Sequence, residues 1–193
     1  IIRKKLSPKL ARLKAKIASF NNFPTSAGLA SSASGFAALA VAVDKALGMN
    51  LSRKELSILA RQGSGSASRS VFGGFVEWKK GVLDDGSDSY GEQFEDEEFW
   101  PGFRIIVCIT SYDEKKHKSR PGMKLSVATS PFFRQWTESC EEDLKLIKRG
   151  IKLKDIEQVG IVAESNCLKM HSVMWTTKPA IIYQNPTTIK IMH

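Results

Sequence analysis

Apolar residues recur at Leu29, Phe36, Leu39, Val43 and Leu47 with helical spacing, which predicts a helix over about 29–47 with one buried face and a stop at Gly48. Ser52 followed by Glu55 has the form of a capping box and opens a second helix, whose Leu56, Leu59 and Ala60 share a face before Gln62. Val71 to Trp78 alternates as a strand, with Gly73 and Gly74 as a bulge. Arg104 to Thr110 is almost entirely β-branched and apolar and predicts a buried strand, followed by a polar loop from Ser111 to Gly122. Ser130 and Pro131 supply an N-cap and a first-turn proline for a helix through Phe133, Trp136, Cys140, Leu144 and Ile147 that ends at Gly150. Leu153, Ile156, Val159, Ala163, Cys167 and Leu168 mark another helix to about Met170. Near the N-terminus, Leu6, Leu10, Leu13, Ile17 and Phe20 have helical spacing interrupted by Ser7 and Pro8, while Ala15 to Phe20 equally suits a strand.

Chemistry enters where the first long helix begins. In Asn22-Phe23-Pro24-Thr25-Ser26-Ala27-Gly28-Leu29-Ala30-Ser31-Ser32-Ala33-Ser34-Gly35, small residues run directly into the helical pattern. First-turn amides lack intrahelical acceptors and carry the positive end of the helix dipole, so an anion placed there gains hydrogen bonds and a favourable field. Ser31, Ser32 and Ser34 add hydroxyls. A glycine- and serine-rich helix start serves close packing equally well, but a second stretch of the same type, Gly63-Ser64-Gly65-Ser66-Ala67-Ser68-Arg69, follows the next helix. The glycines there free backbone amides to approach a ligand, and Arg69 offers a planar guanidinium suited to carboxylate or phosphate. Neither loop ends in Gly-Lys-Ser/Thr, so neither is a Walker loop.

Composition bounds the rest. With 193 residues, 42% hydrophobic and 25% charged, the chain is long enough for one domain or two small ones with a proper core. No apolar run is long enough to span a bilayer and no signal-peptide centre is present, so no membrane partner is expected and the cytoplasm is the expected compartment. Cys108, Cys140 and Cys167 are odd in number, lack C-x-x-C spacing and lie in apolar patterns, so buried free thiols are expected. The three histidines have no metal-ligand spacing. The net charge of +9 is partly local: Arg3, Lys4, Lys5, Lys9, Arg12, Lys14 and Lys16 precede any acidic residue, and Glu92, Glu95, Asp96, Glu97 and Glu98 oppose them. Aromatic residues do not interleave with the basic run, so a solvated face is expected rather than a nucleic-acid partner.

The run from Pro24 to Gly35 resembles the ATP-phosphate motif of the GHMP kinase superfamily. Its Gly28-Leu29-Ala30-Ser31-Ser32 form is similar to that of the diphosphomevalonate decarboxylases. Gly63 to Phe75 resembles that branch's second signature, and Ser119-Arg120-Pro121-Gly122-Met123 its third. The resemblance implies an α+β GHMP kinase fold: a ribosomal protein S5 domain 2-like N-terminal lobe, partial over 1–91, and a ferredoxin-like α/β C-terminal lobe, partial over 92–193. It favours a strand over Lys16 to Asn22.

The activity so implied is ATP-dependent decarboxylation of mevalonate 5-diphosphate to isopentenyl diphosphate, in the mevalonate pathway of isoprenoid biosynthesis. ATP and Mg²⁺ are the implied cofactors, with a homodimer as assembly. Motif matching assigns Ala27, Gly28, Leu29, Ala30, Ser31 and Ser32 to ATP, with Ser32 orienting the transferred group. It assigns Ser64, Gly65, Ser66, Ala67, Ser68 and Arg69 to the phosphorylated substrate, with Arg69 catalytic on its carboxylate, and Ser119, Arg120 and Gly122 to its diphosphate. No metal-ligating side chain is assigned. The family's catalytic aspartate, in an Asp-Ala-Gly-Pro segment, is expected beyond His193, and its first Lys-bearing strand before Ile1. The chain is therefore expected to be an internal piece without activity alone. Phosphomevalonate decarboxylases and mevalonate 3-kinases of the same fold are alternatives, as is a noncatalytic phosphate or nucleic-acid binding module.

Overall fold

A computed structural model describes residues 8–12, 14–23, 29–111 and 119–193. The chain forms two compact units, Ile1–Pro101 and Gly102–His193.

In the first unit, a single helical turn α1 (Pro8–Ala11) precedes α2 (Ser31–Leu47) and α3 (Arg53–Gly63). A 3-10 turn (Gly65–Ser68) then leads to an antiparallel pair, β1 (Phe75–Trp78) and β2 (Gly91–Glu95). Both helix boundaries follow the local chemistry. Gly48 takes the left-handed conformation (φ 60°) and its N–H donates to the Asp44 and Lys45 carbonyls. Ser52 Oγ accepts from the Glu55 N–H while Glu55 accepts from the Ser52 N–H at 2.9 Å, the reciprocal box that the sequence predicts.

The buried face of α2 is not the one its large residues predict. Ala33, Ala37, Ala40 and Asp44 are buried, whereas Leu29 and Phe36 are exposed. Small side chains let α2 approach α3 closely, and the core collects Ala40, Leu59, Ala60 and Ala67, with Leu51, Leu56 and Val71 against it. Phe36, Leu39 and Val43 instead line a groove shared with residues 15–23. The strand expected over Lys16–Asn22 is absent: this stretch has no regular structure, and Ile17 and Phe20 are exposed. No strand among the described residues pairs with it, and a strand without a partner leaves its backbone groups unsatisfied.

Strand β1 starts at Phe75 rather than Val71, because Gly74 is left-handed (φ 62°) and the register shifts between Phe75 and Val76. Residues 91–95, which carry Glu92 and Glu95 of the acidic cluster, are its partner.

One buried hydroxyl ties this unit together. Ser57 on α3 donates to the Ser68 carbonyl at 2.7 Å and accepts from the Gly91 N–H at 2.7 Å, and it is fully buried. Ser57→Ala leaves a buried carbonyl and a buried amide unpaired, each at about 1–3 kcal/mol. The expected result is a chemical-denaturation midpoint clearly below wild type; an unchanged midpoint would show that the bridge contributes nothing.

The second unit is helical: α4 (Ser119–Thr129), α5 (Phe133–Leu153), α6 (Ile156–Trp175) and α7 (Pro186–Met192). Ser130 and Pro131 form the turn before α5, with Ser130 Oγ accepting from the Phe132 N–H at 3.3 Å. Helix α5 does not stop at Gly150. It runs on to Leu153 and turns at the left-handed Lys154 (φ 55°), after which Asp155 caps α6 by accepting from Gln158 N–H. Gly150 serves packing instead, since a Cβ there would stand 3.0 Å from Val159 Cγ2. The α5–α6 contact also carries a polar cluster: Lys169 Nζ donates to Asp143 Oδ2 at 2.8 Å and to Ser139 Oγ at 3.2 Å, and Asn166 donates to Asp143 Oδ2 at 2.7 Å.

Burial alone would raise the Asp143 carboxyl, but the hydrogen bonds from Lys169 and Asn166 and the lysine's charge outweigh it and hold the carboxyl below its ordinary range. A carboxyl with a depressed folded-state pKa contributes stability above its unfolded pKa and loses it as pH falls through the folded one. Asp143→Asn is therefore expected to lower the thermal midpoint by about 2–4 °C at pH 7. The gap should close as pH falls below the carboxylate range, and a pH-independent gap would assign the loss to packing.

The buried strand expected over Arg104–Thr110 is absent. These residues have no regular structure, and Ile105 and Ile106 are 79% and 87% exposed, because no strand among the described residues offers a ladder. Cys108 is exposed with them, Cys167 is exposed on α6 and Cys140 is half-buried, so the thiols are free but not buried as expected.

Candidate functional site

The two serine-rich stretches of the first unit meet. Helix α2 starts from Ala30, which is left-handed (φ 50°, ψ 38°) and provides no side-chain cap; its carbonyl accepts from the Ala33 N–H at 2.8 Å. Ser32 in the first turn reaches across to the residue after α3: Ser32 Oγ lies 3.3 Å from Ser64 Oγ, and Ser64 Oγ lies 3.3 Å from Ser66 Oγ. Three hydroxyls thus form a continuous chain from a helix N-terminus into the 3-10 turn. No carboxylate among the described residues enters this chain of contacts, and hydroxyls at a helix N-terminus suit an anion with several oxygens.

Arg69 closes the turn, its N–H donating to the Ser66 carbonyl at 3.2 Å. The turn is held from within by Ser68 Oγ, which donates to the Gly65 carbonyl at 2.8 Å, and from behind by Ser57. The Arg69 guanidinium is half-buried, and burial lowers its pKa, yet a guanidinium stays charged at neutral pH. It lies over the Trp78 indole, 5.7 Å from the ring centroid, and no carboxylate among the described residues pairs with it.

A Cβ at Gly63 would overlap the Phe36 ring and one at Gly65 the Trp78 ring, so both glycines admit aromatic packing against the turn. Trp78, Ser57 and Ser89 were not among the candidate site residues of the sequence. The signal for Trp78 was an aromatic residue in a strand pattern, which only the hairpin register carries to Arg69.

The remaining candidates divide as follows. Leu29, Ala30, Ser31 and Ser32 lie at the α2 start, while Ala27 and Gly28 lie outside the described residues. Ala67 and Ser68 are fully buried and form the body of the turn rather than its surface. Ser119, Arg120 and Gly122 belong to the second unit, where they open helix α4 instead of a polar loop; the first two are exposed and Gly122 is buried near Tyr183. Lys115, Lys116 and Lys118 lie outside the described residues. No helix among the described residues is long and apolar enough to cross a membrane.

The profile of the diphosphomevalonate decarboxylase-like N-terminal domain matches residues 2–91, and that of the mevalonate 5-diphosphate decarboxylase C-terminal domain matches residues 105–193. The diphosphomevalonate decarboxylase of Candida albicans is 42% identical over 187 residues, covering 96% of this chain and 52% of the relative. A solved structure of the mevalonate diphosphate decarboxylase from Enterococcus faecalis superposes with a TM-score of 0.74 at 42% identity, covering 88% of this chain and 50% of that one. A structure described as MDDEF in complex with MVAPP, AMPPCP and magnesium gives a TM-score of 0.78 at 42% identity, covering 88% and 51%. The chain spans about half the length of the curated relatives it matches.

Proposed function

The chain belongs to the diphosphomevalonate decarboxylase family, and from that premise we propose that the protein catalyses ATP-dependent decarboxylation of mevalonate 5-diphosphate to isopentenyl diphosphate. Its fold is that of the GHMP kinases. The observation that carries the reading is the hydroxyl chain Ser32–Ser64–Ser66, which joins the two serine-rich stretches and ends in a turn closed by Arg69, whose guanidinium pairs with no carboxylate among the described residues.

The reaction needs one anion-binding surface for nucleotide and another for a carboxylate. Bound ATP with Mg²⁺ supplies the phosphoryl group that makes the tertiary hydroxyl able to leave, while the metal shares the phosphate charge. Ser31 and Ser32, at the positive end of α2, hold the nucleotide phosphates, and Ser32 orients the transferred group. Mg²⁺ keeps several waters and takes its other ligands mostly from phosphate, so it needs no cage of acidic side chains here. Ser64, Ser66 and Arg69 hold the substrate, the guanidinium gripping the carboxylate until the carbon–carbon bond breaks and its electron pair enters the new double bond as phosphate departs. Ser119, Arg120 and Gly122 take the diphosphate. The family likeness also supports work in the cytoplasm on a phosphorylated small molecule, with a homodimer as assembly.

The test is carbon dioxide release from mevalonate, its 5-phosphate and its 5-diphosphate, each with ATP and Mg²⁺. Release confined to the diphosphate supports the proposal. Release from the monophosphate alone, or phosphorylation of mevalonate without release, would replace it with the corresponding relative of the same fold.

A further inference from the structure

Trp78 has more constraints on it than a strand residue needs. Its backbone is paired opposite Gly91 in the hairpin ladder. Its Nε1–H donates to Ser89 Oγ at 3.1 Å, and Ser89, only 7% exposed, donates in turn to the Lys79 carbonyl at 3.1 Å. Its ring occupies the space left open by the missing side chain of Gly65 and lies under the Arg69 guanidinium. Backbone, ring edge and ring face are therefore each tied to a different part of the unit.

We infer that Trp78, locked by Ser89 and seated on Gly65, is a positioning residue that sets the direction of the Arg69 guanidinium toward the substrate carboxylate. This rests on the function proposed above. At 5.7 Å from the indole centroid the Arg69 guanidinium lies within cation–π range, an attraction that consumes none of its N–H donors and leaves them for a planar two-point contact. Without the ring, the three-carbon stem of Arg69 regains its rotamers, and the carboxylate has to order the side chain on binding.

The test compares Trp78→Leu, Trp78→Phe and wild type in the full-length protein. Trp78→Leu is expected to lower kcat/KM for mevalonate 5-diphosphate about tenfold, with Trp78→Phe, which keeps an aromatic face, within about threefold of wild type. The KM for ATP should move by less than about twofold in both, since Ser31 and Ser32 are untouched. Equal losses for the two substrates, or no recovery in Trp78→Phe, would overturn the inference in favour of a purely structural role. A second readout uses no substrate. Modification of Arg69 by phenylglyoxal, followed by peptide mass spectrometry, should be about fivefold faster in Trp78→Leu than in wild type, and equal rates would overturn the inference. If wild type releases no carbon dioxide from mevalonate 5-diphosphate, the proposed function falls, while the labelling rates still decide whether Trp78 holds Arg69.

Discussion

Replacing Arg69 with lysine is expected to lower kcat/KM for mevalonate 5-diphosphate by about one to two orders of magnitude, because a charge-assisted contact contributes about 1.5–3 kcal/mol. Charge alone is preserved in this variant, so the loss measures shape. An ammonium offers three donors around a point, whereas the guanidinium presents a planar pair that matches both carboxylate oxygens. Arg69 is also half-buried against Trp78, a site that a flexible, strongly hydrated ammonium occupies poorly. Because the proposed contact is to the substrate and not the nucleotide, the KM for ATP should stay near wild type. Steady-state kinetics with each substrate varied in turn makes the comparison, and wild-type kcat/KM in Arg69→Lys would remove this residue from the substrate site.

Gly91→Ala is expected to lower the stability of the first unit markedly. The added Cβ would overlap the backbone carbonyl of Ser68, which cannot rotate away as a side chain would, and the Ser57 bridge holds the two backbones together at that point. Overpacking of this kind costs about 1–3 kcal/mol, which corresponds to a fall of about 5–10 °C in thermal midpoint when it is near the upper end. The strained neighbour is the turn that carries Arg69, so activity should fall with stability. Gly160→Ala on α6 is the control, as nothing lies within 4 Å of its added methyl group. It should be neutral or stabilise by up to about 1 kcal/mol. A Gly91→Ala midpoint matching that of the control would mean that strand and turn are not pressed together as described.

Features that depend on a few adjacent residues were legible in the sequence. The stop at Gly48 and the Ser52–Glu55 box follow from backbone conformation and hydrogen bonding within one turn, and the structure has both. The approach of Ser32 to Ser64 was legible only as two similar stretches separated by one helix. Their meeting depends on the alanine face of α2, which hydrophobic spacing hid because Phe36, Leu39 and Val43 dominate the pattern. Gly150 has the look of a helix stop, yet α5 runs past it and it makes room for Val159, a neighbour remote in the pattern; Gly65 likewise makes room for Trp78. The stretch 104–110 shows the opposite limit: β-branched residues state a preference for a ladder, but a ladder needs a second strand, and none of the described residues supplies one.

Ala30 adopts a conformation that glycine enters freely and that costs an L-residue with a methyl group about 1–2 kcal/mol. Its methyl also narrows the range of bends available to the chain just ahead of the hydroxyl trio. In the function proposed above, the α2 start would therefore offer the nucleotide phosphates a bend at Ala30 whose cost falls on folding rather than on binding.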